Sequence, residues 1–527
     1  MGSPGHTATV GVKAASRAVS GSNFFSNTKL VTTHYLKELE MAIEITSTPA
    51  KAASADRSSS FWAFLVTGVA IFMVSLDNLV VTTALPAIRA GLGAGLEGLE
   101  WTVNAYTLTF AVFLLTGAAL GDRFGRRRMF LVGLSLFTLS SAAAALAPDI
   151  GMLVAARAVQ GVGAAMVAPL TLTLLSAAVP ATRRGLALGA WGAMSGLAVA
   201  LGPVIGGAIV DYVSWQWIFW VNVPIGVALV PVARRRLAES YGPTGRLDLA
   251  GTVLASAGLL GVVLGLVRGN SLGWTSPEIL VSFAAGAVLL AVFVVSELRS
   301  ATPMLPMRFF RSRAFSAANV ASLLMFFGMF GSIFLLAQFL QTVQGYSPFA
   351  AGVRTLPWTG MPLIAAPLAG ALSDRIGSRP IVAVGLALQA IGLGWLAAIS
   401  APDVAYSTLV PAFVVSGLGM GMFFAPIANL VLGAVSSAEE GMASGANNAI
   451  REVGGVLGVA VLAAVFSKTG GYTSGQAFVD GLVPALWVGA VAVAGAVVAA
   501  IVVPRRNRGG GDVTALIRPT VREPVAA

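Results

Sequence analysis

"GDRFGRRRMF" (121–130) and "SDRIGSRPIV" (373–382) are two copies of one short charged turn, set in a chain that is otherwise nearly free of charge. Each reads Asp-Arg, an apolar residue, Gly, and then a basic residue within two positions. Asp122 and Asp374 stand 252 positions apart, and the hydrophobic runs that begin at Phe61 and Phe315 keep nearly the same offset. A repeat at this range means two copies of one large unit. What lies between the turns says what that unit is made of.

A helix needs about 20 mostly apolar residues to cross a bilayer core of about 30 Å. Runs of that kind lie near 61–84, 101–121, 129–148, 151–174, 185–210, 216–233, 249–267, 279–296, 315–340, 350–372, 380–400, 407–433, 442–467 and 483–503. The expectation is an all-α polytopic membrane protein of fourteen transmembrane helices. The repeat divides them into two six-helix bundles, 61–236 and 313–504, with a two-helix linker inserted at 237–312. Residues 1–60 read as a disordered amino-terminal tail, with Met41 as an alternative start, and 505–527 as a carboxy-terminal tail. Composition agrees: 56% of the 527 residues are hydrophobic and 10% charged, against about 25% charged in soluble domains.

The net charge of +11 is placed rather than spread. With the amino terminus inside, sixteen arginines fall in cytoplasmic connections, among them Arg123, Arg126, Arg127, Arg128, Arg183, Arg234 and Arg246. The opposite loops hold Arg89, Arg268 and Lys468. This asymmetry orients the chain with both termini in the cytoplasm and attracts anionic lipid headgroups; it is not a nucleic-acid footprint. Cysteine is absent, which removes thiol chemistry, and both histidines, His6 and His34, precede the first run. No Gly-Lys dipeptide occurs, so there is no P-loop. No metal site or cofactor is expected, and an enzyme built on clustered His, Asp or Glu at a membrane face finds no imidazole in the spans.

Against that background Asp77 is conspicuous. It lies about sixteen residues, roughly 24 Å, from the cytoplasmic start of its helix, where a charge costs at least ~2.5–3.5 kcal/mol on insertion scales. Two readings are open: a carboxyl reaching headgroup water at the outer interface, or a proton-titrated group facing a central cavity. Arg157, in a helix of opposite direction, falls at a similar depth and is either a structural partner or a group that modulates Asp77. The run 185–210 carries Gly192/Gly196 and Gly202/Gly206 at i, i+4 spacing, with Pro203 and Gly207 beside them. Such spacing lets helix backbones approach closely, with or without a role in transport. Arg451 and Glu452 are either a cavity-facing pair or an intrahelical one. Trp101, Asn104, Tyr106, Gln160, Phe326, Phe327, Phe423 and Phe424 are candidates for lining a lipophilic cavity.

Together, "LDNLVVTTALP" (76–86), "WTVNAYTLTF" (101–110), "GDRFGRRR" (121–128), "RAVQGVGAA" (157–165), "GLAVALGPVIGG" (196–207) and "WQWIFWVNVPIG" (215–226) resemble the major facilitator superfamily, specifically its fourteen-helix drug–proton antiporter branch. The resemblance spans about 61–503. It implies that Asp77 and Arg157, with Gln160 and Gly161, take part in proton coupling. It implies that Gly202, Pro203, Gly206 and Gly207 form the helix characteristic of exporters, and that Asp122, Arg126 and Asp374 belong to a conformational latch. Two positions depart from the family pattern: Ala198 and Ala118 stand where it has glycine.

The expected function is proton-coupled efflux of lipophilic drugs or antibiotics across the cytoplasmic membrane by alternating access. The alternative is a lipid or metabolite exporter of the same fold. The expected partners are small lipophilic substrates, protons and membrane lipids. With one firm intramembrane acid, neutral or singly charged compounds should be favoured over dications.

Overall fold

The computed structural model describes residues 60–180, 184–242, 248–300, 303–436 and 439–503. Both tails, with Arg183 and Arg246, lie outside the described residues, as does the side chain of Asp374.

The first six runs fold as α1 (Ser60–Leu92), α2 (Leu96–Phe124), α3 (Arg126–Ala145), α4 (Ile150–Ala178), α5 (Arg184–Tyr212), and the pair α6 (Trp217–Trp220) and α7 (Asn222–Arg236). Two further helices follow, α8 (Leu249–Leu272) and α9 (Pro277–Arg299). The second half comprises α10 (Arg313–Gln338), α11 (Pro348–Thr359), α12 (Met361–Ile376), α13 (Ser378–Ile399), α14 (Tyr406–Leu432), α15 (Glu440–Thr469) and α16 (Gly475–Val502). Helices are the outcome physics requires, because lipid offers no partner to an open backbone N–H or carbonyl.

The expected count of fourteen spans is not reproduced. Among the described residues thirteen helices are long and apolar enough to cross a membrane, α6 and α7 together forming one of them. The discrepancy is the run 350–372, which is divided at Gly360 into α11 and α12, of 12 and 16 residues. Pro357 and Pro362 flank the division; proline lacks an N–H and its ring crowds the preceding turn. Gly360 closes α11 by donating its N–H to the Leu356 carbonyl at 2.8 Å.

The repeat is visible in the backbone. Gly125, between α2 and α3, has φ +106°, and Gly377, between α12 and α13, has φ +89°. These positions are again 252 residues apart, and a side chain would strain both. In the first half α4 packs on α2 and α3, and α3 on α7; in the second α10 packs on α15 and α16, and α13 on α14 and α16. The halves meet where α5 lies on α11 and where α2 lies on α15. The inserted helices α8 and α9 pack on one another, and α8 also packs on α2 and α15. The two ends of the molecule are named below by the arginine-rich turns: the basic end, and the opposite end.

Candidate functional site

Asp77 sits midway along α1, 2% exposed; α4 and α7 bring polar groups to it, and α2 and α3 hold those groups in turn. Arg157 of α4, wholly buried, pairs through one Nη1–H with Oδ2 of Asp77. Gln160, one turn further on the same face of α4, donates from Nε2 to Oδ1 of Asp77 at 2.9 Å and to the Ser141 hydroxyl of α3 at 2.8 Å. Asn222, the first residue of α7, donates to the same Oδ1 at 2.9 Å. Arg157 also donates to the Gln160 amide oxygen at 2.7 Å and, from Nε, to the Thr102 carbonyl of α2 at 3.2 Å. Its guanidinium lies 4.1 Å from the ring centre of Tyr106, whose hydroxyl donates to the Val74 carbonyl of α1.

The carboxyl does not reach headgroup water; it is sealed among donors on α4 and α7. Three donors on a single carboxylate, one of them the Arg157 cation, match its charge inside a medium that would otherwise expel it. Removing one partner of such a buried pair costs about 3–5 kcal/mol. The Nη2 group of Arg157 is buried and without a partner.

The glycines of α5 link this network to the interface between the halves. A Cβ on Gly202 would lie 2.7 Å from the Cβ of Leu79, and one on Gly206 3.0 Å from the Cα of Val80. Leu79 and Val80 follow Asp77 by two and three positions, so the turn of α1 that bears Asp77 is pressed against α5 on its other face. On the other side of α5, a Cβ on Gly207 would lie 2.2 Å from the Pro348 carbonyl oxygen of α11. The contact is reciprocal: a Cβ on Gly352 would lie 2.1 Å from the carbonyl oxygen of Pro203. Ala198, wholly buried, keeps the small volume the exporter pattern needs.

Other expected positions are placed differently. Gln160 belongs to the network around Asp77 and does not line a cavity. Tyr106 is buried beneath Arg157. Trp101 packs in an apolar cluster with Val263 and Val267 of α8. Asn104 is wholly buried with neither amide atom partnered. Gly192 has nothing within 4 Å of a Cβ, and Gly196 only Leu363 at 3.7 Å, so the first glycine pair of α5 hosts no helix in this conformation. Arg451 and Glu452 are not an ion pair, because adjacent helical residues diverge by about 100°. Arg451 instead covers Phe326 at 4.3 Å and Phe424 at 5.2 Å, and Oε2 of Glu452 is buried without a partner. Arg354, near the opposite end, lies over Tyr346 and Tyr406.

The charged turn is engaged by its own Arg126 and by the start of the inserted linker. Asp122 pairs with Arg126 at 2.8 Å, while the Arg127 backbone N–H donates to Glu239 at 2.9 Å and the Arg126 N–H to the Ser240 carbonyl. The Gly242 N–H donates to the Asp122 carbonyl at 3.1 Å. The segment after α7 thus straps the turn. Sequence reasoning missed Ser141, Asn222 and Glu239. Asn222 alone carried a signal, an amide inside an apolar run.

Two related bundles meeting across a seam, each made of membrane-spanning helices, define a polytopic membrane transporter architecture. The chain belongs to the Major Facilitator Superfamily, whose profile matches residues 67–459 and 318–521. It is 37% identical over 405 residues to the multidrug resistance protein Stp of Mycobacterium tuberculosis, covering 76% of this chain and 75% of that one. It is 34% identical over 418 residues to the tetracenomycin C resistance and export protein of Streptomyces glaucescens, covering 79% and 78%. The fold matches the crystal structure of a POT family transporter with a TM-score of 0.64 at 16% identity, covering 84% of this chain and 96% of that one.

Proposed function

We propose that the protein is not an enzyme but a proton-coupled exporter of small lipophilic drugs or antibiotics, working in the cytoplasmic membrane with both termini in the cytoplasm. Residues 61–236 and 313–504 are its two moving halves, and 237–312 an inserted linker. The observation that carries this reading is the contact chain from Asp77 through Leu79 and Val80 to Gly202 and Gly206, and across α5 to Pro348. A charge change at Asp77 releases Arg157, shifts α1, and is transmitted to the seam through backbones that touch. Names of related chains, one for multidrug resistance and one for antibiotic export, support the direction and class of cargo.

Energetically, one proton moving inward through 100 mV releases about 2.3 kcal/mol. Substrate meets the interface face of the second half, where Phe326, Phe424 and the Arg451 guanidinium form an aromatic and cationic surface beside Glu452. Asp77 is already matched by Arg157, so it offers no free negative charge to cargo in this conformation. Neutral or singly charged compounds are accordingly favoured over dications.

The test is dye efflux by everted vesicles with and without an uncoupler. Efflux should stop with the uncoupler and with Asp77→Asn, while the variant inserts normally. Uncoupler-sensitive transport surviving in Asp77→Asn would move coupling elsewhere. Transport of lipids with no transport of drugs would favour the alternative cargo.

A further inference from the structure

A second buried carboxylate lies toward the opposite end, away from the Asp77 network. Glu100 of α2 is 3% exposed, and its Oε2 has no hydrogen-bond partner. It shares a stripe of α2 with Asn104, also unpartnered, and with Leu108, which packs on Val456 and Ala460 of α15. That stripe is the one α2 turns to the other half.

The groups around Glu100 are few. On its own helix Glu97 is already paired with Arg268 of α8 at 2.7 Å. Arg89, near the end of α1, is spent on the Tyr472 ring, 3.6 Å from its centre. Tyr472, between α15 and α16, donates its hydroxyl to Gln338 of α10 at 2.5 Å and lies within electrostatic range of both Arg89 and Glu100. Burial keeps the Tyr472 phenol above its usual range, so it stays a donor rather than a second anion. On α4, Asp149 caps its own helix at the Met152 N–H, and Lys468, on the last turn of α15, is exposed. None of these is a hydrogen-bonded counter-ion for Glu100.

The same layer joins the halves. The Arg89–Tyr472 contact crosses from α1 to the α15–α16 connection, and Gln341, in the π-helical turn after α10, donates to the Thr83 carbonyl at 2.8 Å. With this end closed Glu100 is buried, and the opening that alternating access requires would admit water to it. A carboxylate with no donor is costly in a dry site, and the neutral acid removes that cost.

We propose that Glu100 is a proton-binding site tied to closure of the opposite end. Its carboxylate takes a proton from water on that side as the end closes, and returns it when the end opens. The proton adds to one carboxylate oxygen, giving the neutral acid, and no other bond changes. By linkage, acid on that side favours the closed end. One proton released on opening changes the closed-to-open ratio by up to about tenfold per pH unit. The inference rests on alternating access as proposed above, and its test is separate from that of Asp77.

The cysteine-free chain allows a clean measurement. Spin labels at Ala90→Cys and Thr473→Cys, both exposed, report the distance across this end by pulsed electron resonance in nanodiscs. Between about pH 8 and about pH 5 the ratio of short- to long-distance populations should rise by at least about tenfold. Glu100→Gln should stay closed at both, and Glu100→Asp should keep the response. A flat profile in the parent chain, or the parent's full response in Glu100→Gln, overturns the proposal. Should Glu100→Gln fail to insert, a flat profile in Glu100→Asp overturns it equally. Retained coupled efflux in Asp77→Asn would defeat the coupling reading and leave this distance response untouched.

Discussion

The two ends of α5 are built alike and used differently. Toward the opposite end, Gly202 meets the Leu79 side chain and Gly206 the Val80 backbone of α1, while Gly207 meets the backbone of α11, with Gly352 completing that contact. Toward the basic end, Gly192 faces open space and Gly196 touches Leu363 only at van der Waals distance. One helix thus carries an occupied seam and a vacant one. A glycine pair that packs nothing in one conformation is economical only if another conformation uses it, since glycine in a helix costs about 0.5–1 kcal/mol relative to alanine. The difference teaches that the closed end is held by backbone against backbone, which cannot yield gradually. Of the ion pairs described at the basic end, Asp122–Arg126 lies within the first half, while Arg127–Glu239 and Arg308–Glu439 tie the inserted linker to the first and second halves; none of the three joins one half directly to the other.

The hardest blow to this contrast is Gly207→Leu. Its Cβ would fall 2.2 Å from a carbonyl oxygen and 2.6 Å from the attached carbon. Overpacking of this kind costs about 1–3 kcal/mol or more. Dye efflux should fall by at least about tenfold, and the Ala90–Thr473 distance should lengthen. An unchanged distance would mean that the α5–α11 seam does not hold the end shut.

Gly192→Leu sharpens the contrast from the other side. Nothing in this conformation opposes the new side chain, so stability should change by less than about 0.5 kcal/mol. Efflux should nonetheless fall several-fold, because the alternate closure at the basic end is blocked. Normal efflux would show that α5 and α12 never pack there.

The smallest effect belongs to pH at the basic end. The Ser436 hydroxyl, donating at 2.6 Å, and the neighbouring Arg308 hold the Glu439 carboxyl below its usual range. A carboxyl depressed on folding stabilises above its ordinary value, and that contribution is lost as pH falls through the depressed value. Thermal unfolding of Glu439→Gln should match the parent in strong acid and lie slightly below it near neutrality. A gap that widened with acid would have the wrong sign.

Much of this protein was legible as sequence. Crossing a bilayer is a local demand on length and composition, so the long runs stand out. The repeat stands out because a tight turn needs Gly125 and Gly377 whatever surrounds them. The division at Gly360 was harder to see, although Pro357 and Pro362 were in view, since proline inside a membrane helix is often tolerated. Asp77 and Arg157 could be matched by depth, and the glycines of α5 by spacing.

Orientation about each helix axis was beyond the sequence. A helix apolar all round has no polar face to mark its inside, so nothing local says which way Trp101, Asn104 or Gln160 turns. Only packing decided that Trp101 meets α8, that Gln160 and Asn222 converge on one carboxylate from two helices, and that Glu100 is shut in without a donor. Chain order determined which segments enter the membrane. The contacts between segments decided which of their few charges are matched and which are buried without a partner.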